Sequence, residues 1–227
     1  MSNTPMLFNT LMVQAILAGD KTMTRRIIKP QPEYGPLSYF YAGSRRYVGK
    51  WGYYPSDHTN GKNALWTPPC HGDDLLWVRE TWMKWREHYL YKTDDTLADC
   101  VREDGEAIKW HPSIHMPKAA ARIFLHVSKV SVERLQDISE VEAIDEGMLC
   151  YHDWQTPEYK EALEMAERNR TLPPLGFTPR QRFAHFWDSL CKPKEKHLYG
   201  WEANPWVWRV AFQRVEKPEN WPDKGGG

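Results

Sequence analysis

Eight residues near the N-terminus, Gly19-Asp20-Lys21-Thr22-Met23-Thr24-Arg25-Arg26, gather a lysine, two threonines and two arginines. A threonine hydroxyl is a weak nucleophile until a base takes its proton. A lysine becomes such a base only when its pKa falls, and burial or neighbouring cations bring that about. Arg25 and Arg26 are cations placed to act on Lys21. Lys21 and Thr24 therefore fit a base and a nucleophile, a pairing that calls for no metal or organic cofactor. The same side chains also fit a polar turn or a phosphate cradle. Arg26 adds a rigid fork of donors that suits a carboxylate or a pyrimidine carbonyl.

The elements that must position these groups are legible on either side. Val13, Ile16 and Leu17 share one face of a short helix. Gly19 stands where a helix end favours the left-handed conformation. Residues 23–28 read as a strand, with Thr22, Thr24 and Arg26 on one face and Met23, Arg25 and Ile27 on the other. Gly72-Asp73 turns into a strand from Leu75 to Trp82. Ile123, Leu125 and Val127 alternate, but Val130 and Val132 resume on the shifted parity, which predicts a β-bulge near Ser128-Lys129 within a strand over 121–132.

Ser139 with Glu142 is a capping-box pattern, opening a helix with Val141, Ile144 and Met148 as its stripe and Gly147 as its end. Thr156-Pro157 and Thr178-Pro179 each read as a cap followed by proline in the first turn, with helices running to about residues 168 and 190. Residues 206–215 alternate as a half-buried strand. Four separated strands with several helices predict an α+β fold, without the βα rhythm of a doubly wound sheet.

Charge and composition exclude several functions. Thirty basic and thirty acidic residues cancel, so the chain lacks the footprint of a protein that grips a long DNA tract. Locally the balance is uneven. Residues 1–52 carry seven cations against Asp20 and Glu33, and residues 133–167 carry eleven acids against Arg134 and Lys160. A positive pocket of nucleotide size fits the first stretch, and a solvated face fits either. Cys70, Cys100, Cys150 and Cys191 lie far apart and form no metal-ligand pair, so reduced thiols in a cytoplasmic protein are expected. No run approaches the roughly 18 apolar residues of a membrane span, and no secretory signal is expected, since no basic stretch leads into an apolar one near the start. Most of the twelve tryptophans are expected in the core, with one or two free to stack on a nucleobase.

Gly19, Lys21 and Arg26 match the G-x-K-x-x-x-x-R signature of the ASCH family, a branch of the PUA-like superfamily, and the segment resembles that family. The longer Gly-x-Lys-Thr-x-Thr-x-Arg run is similar to small bacterial ASCH amidohydrolases that deacetylate N(4)-acetylcytidine. Leu7-Phe8-Asn9-Thr10, Gly72-Asp73, Trp77 through Trp82, Pro112 through Pro117 and Asn204 through Trp208 resemble a larger ASCH subgroup common in phages and prophages. The resemblance implies a small mixed β-barrel surrounded by helices, spanning residues 1–222 as one domain. Insertions would fall near 30–70, 84–117 and 150–177, and residues 223–227 would form a disordered tail.

The resemblance also implies roles. Lys21 would be the base and Thr24 the nucleophile. Glu146, in the last turn of its helix, would be the acid, kept neutral by the negative end of the helix dipole. Arg26, Arg79, Trp82 and His115 would contact substrate. The continuation Lys118-Ala119-Ala120 departs from the subgroup, in which an arginine and an aromatic residue are common. Expected partners are a modified nucleoside or RNA. A non-catalytic binding module and a phage accessory protein acting through protein contacts are the alternatives.

Overall fold

The computed structural model describes residues 2–33, 37–39, 49–52, 65–94, 101–102, 105, 107–148 and 178–221. Within them lies a five-stranded mixed sheet. Its strands are β1 (Asn3–Leu7), β2 (Met23–Ile27), β6 (Leu75–Arg79), β9 (Phe124–Arg134) and β10 (Trp206–Val215), in the order β1-β6-β9-β10-β2. β1 lies parallel to β6, and the other neighbours are antiparallel. Every long strand expected from alternation belongs to this sheet, which makes the fold α+β.

Helix α1 (Thr10–Ala18) connects β1 to β2, the two outermost strands. Asn9 caps its start by accepting from the Met12 amide, and Gly19 ends it at φ 88°, where a residue without Cβ is at ease. Although β1 and β2 stand at opposite ends of the strand order, Arg26 Nη2 of β2 donates to Leu7 O of β1 at 2.7 Å. A guanidinium cannot reach across a flat sheet of five strands spaced ~4.8 Å apart. The sheet is therefore rolled into a barrel with one side chain spanning the seam.

The inner face of the roll holds Met6, Phe8, Leu76, Val78, Leu125, Val127, Val210 and Phe212, packed on Met12, Val13 and Ile16 of α1. The outer face of β10 presents Val207 to two further helices, α2 (Glu140–Asp145) and α3 (Pro179–Leu190), through Phe183, Trp187 and Ala143. Both helices start at the caps read from Ser139 and Thr178; the capping box expected at Ser139 is present, and Thr178 forms one as well, with Gln181. The α2 stripe differs from expectation: Val141 is exposed and Ala143 takes the core position. A six-residue helix shows less than two turns to its neighbour, and the short side chain sits where α3 passes. The bulge is present, because β9 and β10 slip register between the Phe212–Val127 and Ala211–Lys129 pairs and leave Ser128 over.

Four segments differ from the sequence reading. β1 was not expected, since Asn-Thr-Pro-Met-Leu is too short and mixed to alternate. The strand expected over 75–82 stops at Arg79, and Trp82 begins a separate hairpin of β7 (Trp82–Trp85) and β8 (His88–Tyr91). The break lies at Glu80, a buried carboxylate clamped by Arg122 Nε and Nη2 at 2.9 and 3.0 Å. Consequently the stretch 84–117, expected as an insertion, has regular structure of its own. It contains this hairpin and the short 3-10 turn Ser113–His115. The stretch 30–70 likewise holds a small sheet of β3 (Ser38–Tyr39), β4 (Trp51–Gly52) and β5 (Leu65–Trp66). The helix expected after Thr156-Pro157, the 150–177 insertion and the 223–227 tail fall outside the described residues.

Trp66, Trp77, Trp187, Trp206, Trp208 and Trp221 are buried, in line with the expected packing role. Cys70 and Cys191 are free thiols. Among the described residues, no helix is long and apolar enough to cross a membrane.

Candidate functional site

Lys21 follows the helix stop at Gly19 and precedes β2, and its backbone pairs with Glu146 in an isolated antiparallel bridge. Thr22 N donates to Asp145 O at 2.8 Å, and Phe212 N donates to Thr22 O. These bonds pin the motif between the end of α2 and strand β10. The Lys21 side chain is completely buried. Its Nζ donates to Glu146 Oε2 at 2.5 Å and to Glu146 O at 3.0 Å.

Glu146 is the C-cap of α2 and is itself buried. Its second oxygen, Oε1, accepts from Arg25 Nη1 at 3.3 Å. The carboxyl at this helix end thus stands between two cations, Lys21 and Arg25. Burial pushes the Lys21 ammonium below its ordinary pKa; Glu146 opposes that fall, and Arg26 and Arg25 add to it.

Arg25 is the residue that sequence reasoning undervalued. Its side chain is fully buried. Nε donates to Glu133 Oε1 at 2.7 Å and Nη2 to Glu142 Oε2 at 3.0 Å, beside the contact to Glu146. Arg209, directly opposite Arg25 in the ladder, completes the cluster through Glu142 Oε1 at 2.7 Å. Two like charges facing across a ladder repel, and the three glutamates neutralise them. Burial and the Glu142 charge raise Glu133, against the pull of Arg25 and Arg209. The signal in the sequence was the parity of β2: Arg25 shares a face with Met23 and Ile27, so a charge recurs on a side that is half apolar.

Thr24 lies on the inner face, paired with Val210, and is fully buried. Its Oγ1 has no hydrogen-bond partner. Lys21 and Thr24 are thus neighbours in sequence that are not hydrogen-bonded to each other in the resting arrangement. Arg26 shares the Thr24 face of the strand, with its guanidinium 5.0 Å from the Phe8 ring centroid and bonded to Leu7 O.

A cavity of about 310 Å³ opens along the outer edge of β2. Arg25, Arg26 and Glu146 line one wall, Phe183, Phe186 and Trp187 of α3 the other, and Lys29, Lys192 and Glu195 the rim. Lys21 and Thr24 are not on its lining. The even residues of β2 bond to β10, as Ile28 N to Trp206 O shows, so the amides and carbonyls of Arg25 and Ile27 turn toward this outer edge.

The remaining expected contacts stand apart. Arg79 donates through Nε and Nη2 to Met116 O at 3.1 and 2.9 Å, Trp82 packs on Tyr89 and His111, and His115 is exposed on its 3-10 turn. None of the three lines this cavity. Among the described residues no group of three or more His, Cys, Asp or Glu is placed to hold a metal ion.

No family model matches the chain, and neither does any curated protein. Among solved structures, an ASCH domain from Lactobacillus crispatus is similar at 14% identity, over 95% of this chain and 81% of that one. Its TM-score is 0.32, too low to carry an argument.

Proposed function

We propose that this protein is a hydrolase of the amide on an acylated cytidine-type nucleoside or base, working from the Lys21 centre. The observation that carries the reading is a buried lysine with a lowered pKa, held against a buried carboxylate and flanked by two arginines. An unpartnered hydroxyl lies three residues on, at Thr24. The resemblance of residues 19–26 to ASCH amidohydrolases supports the assignment; the likeness of Leu7–Thr10, Trp77–Trp82 and Asn204–Trp208 to the phage and prophage subgroup supports such an origin, and the dispersed cysteines support a cytoplasmic setting.

In the proposed reaction neutral Lys21 takes the Thr24 proton, and Thr24 Oγ1 attacks the acyl carbon. The C–N bond breaks, and the departing amine takes a proton through Glu146 from Lys21. Water then attacks the acyl ester, releases the carboxylic acid and returns the proton to Thr24. Resting geometry is looser than this requires, as is common before substrate tightens a site. The rate should rise with pH as Lys21 loses its proton, over a range below the ordinary lysine value of 10.5.

The test is incubation with a panel of acylated cytidines, read by mass spectrometry. Thr24→Ala should nearly abolish release of the acyl group. Lys21→Arg keeps the charge but cannot act as base, and should lose about 100- to 10,000-fold. A loss under tenfold in Lys21→Arg would reduce Lys21 to an electrostatic role.

One observation favours a second reading, a binding module for a modified base or RNA. The cavity presents cations and aromatic rings, while Lys21 and Thr24 lie behind its wall. Wild-type protein that binds such a ligand and leaves every acylated nucleoside intact would establish that reading.

A further inference from the structure

A second cavity, of about 430 Å³, is lined in part by the Ser128 bulge of β9. Its walls carry three kinds of chemistry. Tyr39 and Trp51 supply aromatic faces, with ring centroids 5.3 Å apart and planes tilted by 52°. Ser128, Lys129 and Ser131 supply hydroxyls and a cation, and Lys129 is exposed and forms no ion pair among the described residues. The third is main chain. β6 pairs with β9 only as far as His126, and the last backbone bonds on that side join Val127 to Asp73 and Asp74.

Beyond Val127 no described residue pairs with that edge of β9. After the bulge the odd residues of β9 bond to β10, as Leu135 N to Pro205 O indicates by continuation, so the N–H and C=O of Val130 point to this edge. Val130 also lines the cavity. A donor and an acceptor side by side on one strand residue match the paired donor and acceptor on the edge of a nucleobase. Aromatic rings take its face, and an exposed lysine suits its phosphate.

We infer that this cavity is a nucleotide-binding subsite: Val130 main chain reads the base edge, Tyr39 and Trp51 hold the base, and Lys129 with the serine hydroxyls holds the phosphate. The subsite goes beyond the amide-hydrolase reading and stands whether or not the Lys21 centre is catalytic.

The test uses the full chain, titrated with cytidine 5′-monophosphate, cytidine and inorganic phosphate by calorimetry, with amide NMR shifts locating the contact. Cytidine 5′-monophosphate should bind and shift the Val130 amide, cytidine should bind more weakly, and phosphate alone should leave Val130 unmoved. Lys129→Glu, a change at an exposed position, should weaken the monophosphate at least about fivefold and leave cytidine unchanged. Tyr39→Leu should weaken both. The inference is overturned if the monophosphate fails to bind at millimolar concentration, if Lys129→Glu binds it as wild type does, or if the shifts cluster elsewhere.

Discussion

Replacing Arg25 by Met keeps the length of a buried side chain and removes its fork. Three cations (Lys21, Arg25 and Arg209) face three acids (Glu133, Glu142 and Glu146), so the change leaves a buried excess of one negative charge. Breaking a buried pair by deleting one partner costs about 3–5 kcal/mol. The lower end applies here, because Glu146 keeps Lys21 and Glu142 keeps Arg209, at 2.5 and 2.7 Å. Glu133 is the loser, its remaining cation being Arg209 Nε at 3.8 Å. A loss of about 3 kcal/mol is roughly a hundredfold in the folding equilibrium, or about 6–12 °C in Tm for a chain of this size. Arg25→Lys should recover little of it, since an ammonium cannot bridge three carboxylates. The same variants carry a second readout: Arg25 helps depress Lys21, so removing it should move the alkaline rise in activity to higher pH. Thermal melts of Arg25→Met within about 2 °C of wild type would refute the view that this cluster holds α2 against the sheet.

Two further outcomes follow from other buried groups. Thr24→Val keeps the shape of the side chain and removes a buried hydroxyl without a partner. It should gain about 1 kcal/mol of stability in a urea melt while losing the proposed hydrolysis. Asp74 is buried, which raises its pKa, but hydrogen bonds from the Ser2 and His71 amides, each 2.9 Å, more than offset that and hold it below its ordinary 3.8. Its stabilising contribution is complete above that unfolded value and is lost as pH falls through the lower folded one. Asp74→Asn should therefore flatten the acid limb of a stability–pH curve measured between about pH 5 and 2.

What the sequence disclosed depended on how local the signal was. Asn9, Gly19, Ser139 and Thr178 act on their own helices within a few residues, and the bulge at Ser128 shows as a parity slip inside a single strand. Lys21 and Glu146 were joined by resemblance, and the fold brings them into contact across 125 positions of sequence. Arg25 was seen only as a nearby cation. Its partners at Glu133, Glu142 and Arg209 are assembled by ladder register and by α2 folding over the outer face, neither of which a single strand encodes. The end of β6 was missed for a related reason. Trp77 through Trp82 alternates well enough to be one strand, and it is Arg122, 42 residues away, with Thr93 that holds the Glu80 carboxylate where the strand breaks.

The join between β1 and β2 has a kinetic consequence. Every other pair of neighbouring strands in the barrel is held by a ladder of backbone bonds, whereas this one is bridged by Arg26 reaching Leu7 O and resting on Phe8. Excursions that cost least free energy should begin there, with the molecule parting along a zip that has a single tooth. The amides of Arg25 and Ile27, turned to that side, would then trade hydrogen with solvent before those of Thr24 and Arg26, which are bonded to β10. The same parting would uncover the otherwise sealed Thr24 hydroxyl, so the slow step in reaching that oxygen would belong to the barrel and not to the incoming ligand.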